Sequence, residues 1–162
     1  MKKAYFRVIL LLSSVPFAFT QFNSDCVPIV EFLINSMGKS VPEDTDEFDS
    51  EFGIFLSEKV KYENSEFGIY TYLVDNNRKV IKAKFQAAYN AGAVALSTSF
   101  GWMKVFNETE GVTALPVGYE ISGTIFSYKQ NIVQINCSES FSFAEIWISK
   151  SIEDLSVISF RD

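Results

Sequence analysis

Residues 64–86 read NSEFGIYTYLVDNNRKVIKAKFQ. Two runs rich in aromatic and β-branched residues flank Asp75-Asn76-Asn77-Arg78, and Asn tolerates the positive φ that a tight hairpin turn needs. The pattern predicts strands over 66–74 and 79–89. With Asn76-Asn77 as the two loop residues, Val74 faces Lys79, Tyr72 faces Ile81, Tyr70 faces Ala83 and Gly68 faces Phe85. One face of this ribbon is aromatic and aliphatic. The other sets Lys82, Lys84 and Gln86 opposite Thr71, Ile69 and Phe67 and is half-wet. An antiparallel sheet with one buried face requires that alternation. Ile81, Phe85 and Tyr89 also fall at helical spacing among Ala, Lys and Gln. The strand is preferred because turn and register account for both halves together.

Upstream, Ser50-Glu51-Phe52-Gly53-Ile54-Phe55 resembles Ser65-Glu66-Phe67-Gly68-Ile69-Tyr70, but two copies are too few for a solenoid. Residues 52–60 read as a strand. Residues 28–37 read as a helix: Pro28 suits a first turn, Gly38 a stop, and Ile29, Leu33 and Met37 share a face with Val30 and Ile34. The stretch 38–50 reads as an acidic loop. It fails the calcium-binding EF-hand pattern, because counting from Asp44 places Asp49 where Gly is needed and Phe55 where Glu is needed. Downstream, strands are predicted over 93–106, bent at Gly101, then 116–128, 132–137, 141–149 and 156–160, with a turn or single helical turn over 151–155. The expected fold is all-β and mainly antiparallel, a seven- to eight-stranded meander forming a barrel or sandwich, with one short N-terminal helix.

Residues 1–20 carry the marks of a secretory signal peptide: Lys2 and Lys3, an apolar run too short to span a membrane, and small Ala18 and Thr20 before the cleavage point. Residues 21–162 then form a single secreted β-rich domain. Losing Lys2, Lys3 and Arg7 takes the basic residues from 14 to 11 against 20 acids, for a net charge of −9. That balance argues against nucleic acid and anionic membrane as partners. Outside the cell, Cys26 and Cys137 are expected to form a disulfide, and Asn107 and Asn136 begin N-glycosylation sequons.

The chain has no histidine. Ser-His-Asp triads, Cys-His dyads and the usual zinc sites are thereby excluded. No cofactor or metal is expected, and no phosphate-binding loop or CxxC pair occurs. Glu120, Glu139 and Glu145 lie on or near strands, as glycosidase acids do, but nothing in their spacing is specific. The expectation is a non-enzyme. In a closed barrel Tyr70, Tyr72, Phe85, Trp102 and Trp147 would line an interior suited to a small hydrophobic ligand. The alternative is an extracellular protein-interaction or adhesion module in which the same rings form a packed core without a ligand cavity.

The layout of signal peptide, short helix, eight-strand meander and a bond from N-terminus to late barrel resembles lipocalins in architecture. It departs from their motif: the first strand has Phe52-Gly53-Ile54-Phe55 where lipocalins carry Gly-x-Trp, and Phe100-Gly101-Trp102 comes far later. The resemblance implies a barrel with an interior apolar site.

Overall fold

The computed structural model of the protein describes residues 25–41, 45–50, 53–63, 65–116, 123–138 and 142–156. The expected signal peptide and residues 157–160 of the expected final strand lie outside the described residues, while Ser156 ends a helical turn. Two helices and eight strands alternate as one helix, four strands, one helix, four strands, followed by a single helical turn. They are α1 (Val27–Ser36), β1 (Asp46–Ser50), β2 (Gly53–Val60), β3 (Phe67–Val74), β4 (Val80–Ala88), α2 (Gly92–Asn107), β5 (Thr113–Leu115), β6 (Thr124–Tyr128), β7 (Asn131–Cys137), β8 (Phe143–Ser149) and α3 (Glu153–Ser156). All strands join one antiparallel sheet in the order β1-β2-β3-β4-β8-β7-β6-β5. Each helix-plus-meander half thus pairs with the other through its last strand. The sheet is not closed, and β1 and β5 are its edges.

The mainly antiparallel, eight-stranded layout with a short helix near the N-terminus is the one expected from sequence. Helix α1 begins one residue earlier than expected. Asp25 Oδ1 accepts the Val27 N–H at 3.0 Å, Pro28 sits in the first turn, and Ile29, Val30 and Leu33 are buried. Gly38, at φ +75°, reverses the chain, and its N–H donates to the Val80 carbonyl at 2.8 Å. This ties the end of α1 to β4.

The β3–β4 hairpin differs from the expected register in an instructive way. Its loop holds three residues, Asn76-Asn77-Arg78, with Arg78 at φ +57°. Asp75 Oδ1 accepts the N–H groups of Asn77 (2.8 Å) and Lys79 (2.9 Å), so the Asp side chain holds the wider turn. A second irregularity follows between Leu73 and Val74, where the opposite strand steps from Val80 to Lys82 and leaves Ile81 half-exposed. One extra residue would turn every side chain to the wrong face; two restore the parity. Tyr70 therefore meets Phe85, and Tyr72 meets Ala83, instead of the partners expected two residues away. Tyr70, Tyr72, Ala83 and Phe85 still share one face, and Lys82, Lys84 and Gln86 the other.

The segment expected as a strand over 93–106 is helix α2, sixteen residues long. Its buried residues are Ala95, Thr98, Ser99, Trp102 and Phe106. They recur at three- and four-residue steps, which is the spacing of a helix face and not of a strand. Two elements were not anticipated. The acidic stretch contains β1, held by Phe48 stacked on Phe55 (centroids 5.1 Å apart) and by the Glu47–Arg78 ion pair at 2.8 Å. The short β5 precedes β6, which covers the end of the strand expected over 116–128; residues 117–122 lie outside the described residues. Charges along β1 suit an edge strand, since they discourage pairing with another chain.

One core cluster joins both helices to the same face of the sheet. It contains Val30 and Leu33 of α1, Trp102 and Phe106 of α2, and Leu56, Tyr72, Phe85, Val133 and Ile146 of the strands. Helix α1 packs on β4 and β8, and α2 on β7 and β8, so both helices lie over the junction of the halves. A polar tie reinforces this from outside: Glu31 Oε1 accepts from Tyr128 Oη and from Lys129 Nζ, each at 2.6 Å. Lys129 and Gln130 form the two-residue β6–β7 turn with φ of +47° and +60°, so α1 grips the tip of the opposite half's hairpin. The structure departs from the lipocalin layout in its open sheet and in α2.

Candidate functional site

The five aromatic residues expected to contact a ligand divide between the two faces of the sheet. Tyr70, Tyr72, Phe85 and Trp102 lie on the helix-covered face. Phe85 is fully buried among Tyr70 (4.9 Å between centroids), Tyr62 (5.1 Å) and Trp102 (6.2 Å). These tilted and edge-on contacts are those of a packed core. Burial pushes the phenols of Tyr62, Tyr70 and Tyr72 above their ordinary range. Trp147 stands alone among the five on the opposite face, which α1 and α2 leave uncovered.

On that open face a groove of about 240 Å³ runs from Phe48 on the edge strand across β2, β3 and β4 to Trp147 on β8. Its apolar walls are Phe48, Phe55, Ile69, Leu73 and Trp147. Alternation places them: β2 and β3 turn their odd-numbered residues to this face because their even-numbered ones enter the core. In β4 the parity is inverted, so Lys82, Lys84 and Gln86 enter the groove instead. Both lysines are nearly buried, Lys82 at 5% and Lys84 at 8% exposure.

The polar groups here are ordered by the β4–β8 pairing. Lys84 faces Thr71 on one side and Trp147 on the other, and its Nζ sits over the Trp147 ring at 4.4 Å from the centroid. Gln86 faces Glu145 and donates from Nε2 to Oε1 at 2.5 Å, while Trp147 Nε1 donates to Oε2 at 3.2 Å. Both carboxylate oxygens are therefore engaged, and the nearby charge attracts Lys84. Burial outweighs that attraction and brings the Lys84 ammonium down to about 8. Lys82 is also lowered by burial, opposed at longer range by Asp154 on α3. At the far end of the same face, Leu155 of α3 packs with Ile125 and Trp147. A second recess of about 260 Å³ lies beside the C-terminal end of α1, between Phe32, Lys39, Glu58 and Tyr72. It contains no buried charge.

Sequence reasoning found Trp147 but missed the lysines. The signal was present: the sequence sets Lys82, Lys84 and Gln86 opposite Thr71, Ile69 and Phe67, and long polar side chains opposite Ile69 and Phe67 mark a face that is not simply wet.

Cys26 and Cys137 are free thiols, against the disulfide expected of them. Cys26 is buried at the start of α1, where its Sγ points at the Trp102 carbonyl (3.5 Å) and burial raises the thiol to about 12. Cys137 ends β7, half-buried. Asn107 is exposed at the end of α2. Asn136 is 8% exposed in β7. Among the described residues no three Cys, Asp or Glu side chains gather to hold a metal, and no helix is long and apolar enough to cross a membrane. Of the carboxylates considered for hydrolysis, Glu145 is bound as above, and Glu120 and Glu139 lie outside the described residues. Comparison with protein-family models, curated proteins and solved structures returns no match.

Proposed function

We propose that the protein is a secreted, non-catalytic binding protein and that its ligand is a small hydrophobic molecule held in the groove on the open sheet face. The observation that carries this reading is the groove itself: an apolar trough ending at a tryptophan, on the side of the sheet that the two packing helices leave free. Its 240 Å³ is the share of liquid volume of about eight water molecules. That is slightly below the ~300 Å³ at the lower end of ligand pockets, which suits a small ligand or one that projects past Phe48. Secretion rests on the signal-like residues 1–20, and the absence of histidine favours binding over catalysis.

The test is a titration with neutral apolar probes, naphthalene and decan-1-ol, read by tryptophan fluorescence and melting temperature. Binding should change the emission of the native protein, and Trp147→Phe should abolish the change while leaving the Trp102 signal. No change in either readout across the probes refutes the groove as a ligand site. It would instead favour the alternative of a protein-interaction module using its exposed rings, among them Phe48 at the groove's rim.

A further inference from the structure

Resting on that reading of the groove, we infer that its ligand is an amphipathic monocarboxylate, with the apolar body against Phe55, Ile69 and Leu73 and the carboxylate between Lys82 and Lys84. A groove evolved for a wholly neutral ligand has no use for ammonium groups among its apolar walls. Removing a cation from water is costly unless an anion meets it. This groove holds two ammonium groups and Glu145 stands near only Lys84, in a chain whose net charge is −6 and which has only 14 basic residues to place.

The geometry fits a single shared anion. Lys82 and Lys84 are two apart on one strand, so their Cα atoms are separated by roughly 6.6 Å on the same face. Two ammonium groups rooted at that spacing can each reach one oxygen of a carboxylate lying between them. Lys84 is positioned by the Trp147 ring and drawn by Glu145. The Lys82 ammonium makes no hydrogen bond or contact ion pair among the described residues; Asp154 acts on it only at longer range. It is thus a nearly buried cation awaiting an anionic neighbour. Glu145 supplies one negative charge near Lys84, and its oxygens also accept from Gln86 and Trp147.

The experiment compares decanoate with decan-1-ol, equal in chain length, by isothermal titration calorimetry at pH 7. The wild-type protein is expected to bind decanoate at least tenfold more tightly, and Lys82→Met/Lys84→Met to lose that preference while retaining decan-1-ol. Equal affinity of the wild type for both overturns the carboxylate and leaves the groove reading standing, as does a preference that survives in the double variant. Failure of both probes to bind overturns the two together. Should the double variant not fold by circular dichroism, Lys82→Gln decides: a loss of less than threefold in the preference refutes the role given to Lys82.

Discussion

Replacing Lys84 with Met should make the protein more stable at pH 7, because the lysine is held where its charge is disfavoured. Its ammonium is brought from the ordinary 10.5 to about 8. At about 1.36 kcal/mol per pK unit, that gap is on the order of 3 kcal/mol working against the folded state at neutral pH. The side chain is only 8% exposed, so solvent screening reduces this little. Against it stands the lost contact with the Trp147 ring, roughly 1–2 kcal/mol. Glu145 loses its positive neighbour but keeps both hydrogen-bond donors. The net expectation is a gain of about 1–2 kcal/mol for Lys84→Met, whose unbranched side chain fills similar space.

The sign with pH follows from proton counting. Between about 8 and 10.5 the unfolded chain keeps the Lys84 proton and the folded chain has lost it. Wild-type stability therefore rises with pH across that window, and below it the penalty is complete. The advantage of Lys84→Met should be largest below pH 8 and shrink above it. Tyr62 and Tyr72, raised by burial, act oppositely above pH 10, but they are common to both proteins and cancel in the difference. Urea unfolding of both at pH 6 to 10 measures it. A variant at least 1 kcal/mol less stable at pH 7, or a difference that does not vary with pH, would show that Lys84 is a structural ion-pair member and not a strained binding residue.

Phe85→Ala should cost about 3–5 kcal/mol in urea unfolding, because the ring is fully buried among three aromatic neighbours. Gly68→Ala should cost about 1–3 kcal/mol, since an added Cβ would lie 2.8 Å from the Phe85 ring and 3.0 Å from Val60. Tyr128→Phe should cost about 1–2 kcal/mol by removing a donor to a charged acceptor. Lys129 and then Tyr128 hold the Glu31 carboxyl below its usual range, so this tie stabilises above the ordinary carboxylate pKa and is lost as pH falls through the lowered value; acid unfolding of Tyr128→Phe should begin at higher pH than in the wild type. Thiol labelling of the native protein should modify Cys137 and spare Cys26 until denaturant is added; a native protein with no titratable thiol would mean a disulfide.

The hairpin at the centre of the sheet was legible because its information is redundant. Alternation over eight residues on each side sets the faces, and only the turn sets the register. The turn was misjudged by one residue because Asp75 captures two backbone N–H groups, a side-chain effect that Asn76-Asn77 does not announce. The bulge at Leu73 then restored the faces. Helix α2 was missed for the opposite reason. Ala93, Ala95, Ser97 and Ser99 alternate as in a strand, and the small residues let either period fit. Trp102 and Phe106, four apart and both buried, settle the period once the segment is placed against β7 and β8. No local signal states that these rings need a sheet face four strands wide, because that face is assembled from both halves of the chain. The same is true of the groove: the charges belong to β4, while the tryptophan and the glutamate that orient them arrive some sixty residues later.

The β4–β8 junction therefore performs two tasks that compete for the same residues. On one face it must be apolar, and Phe85 and Ile146, directly paired, are both fully buried beneath the helices. On the other face the next pairs in register are Lys84 with Trp147 and Gln86 with Glu145. A junction selected for stability alone would place apolar side chains there too, since hydrophobic replacements of buried ionic groups are commonly neutral or stabilising. Retaining two lysines, a glutamate and a glutamine at the seam places the costly groups where a ligand can reach them and where docking of the second half brings Trp147 to the end of the groove. Substitutions that loosen the docking from the covered face, such as Tyr128→Phe, should then weaken ligand binding in proportion to the fraction of protein they undock, without touching the groove. Binding by a stabilised but otherwise unaltered groove would be unaffected. A Tyr128→Phe protein that is fully folded yet binds markedly less tightly would contradict this coupling and place the control of the groove in its own walls.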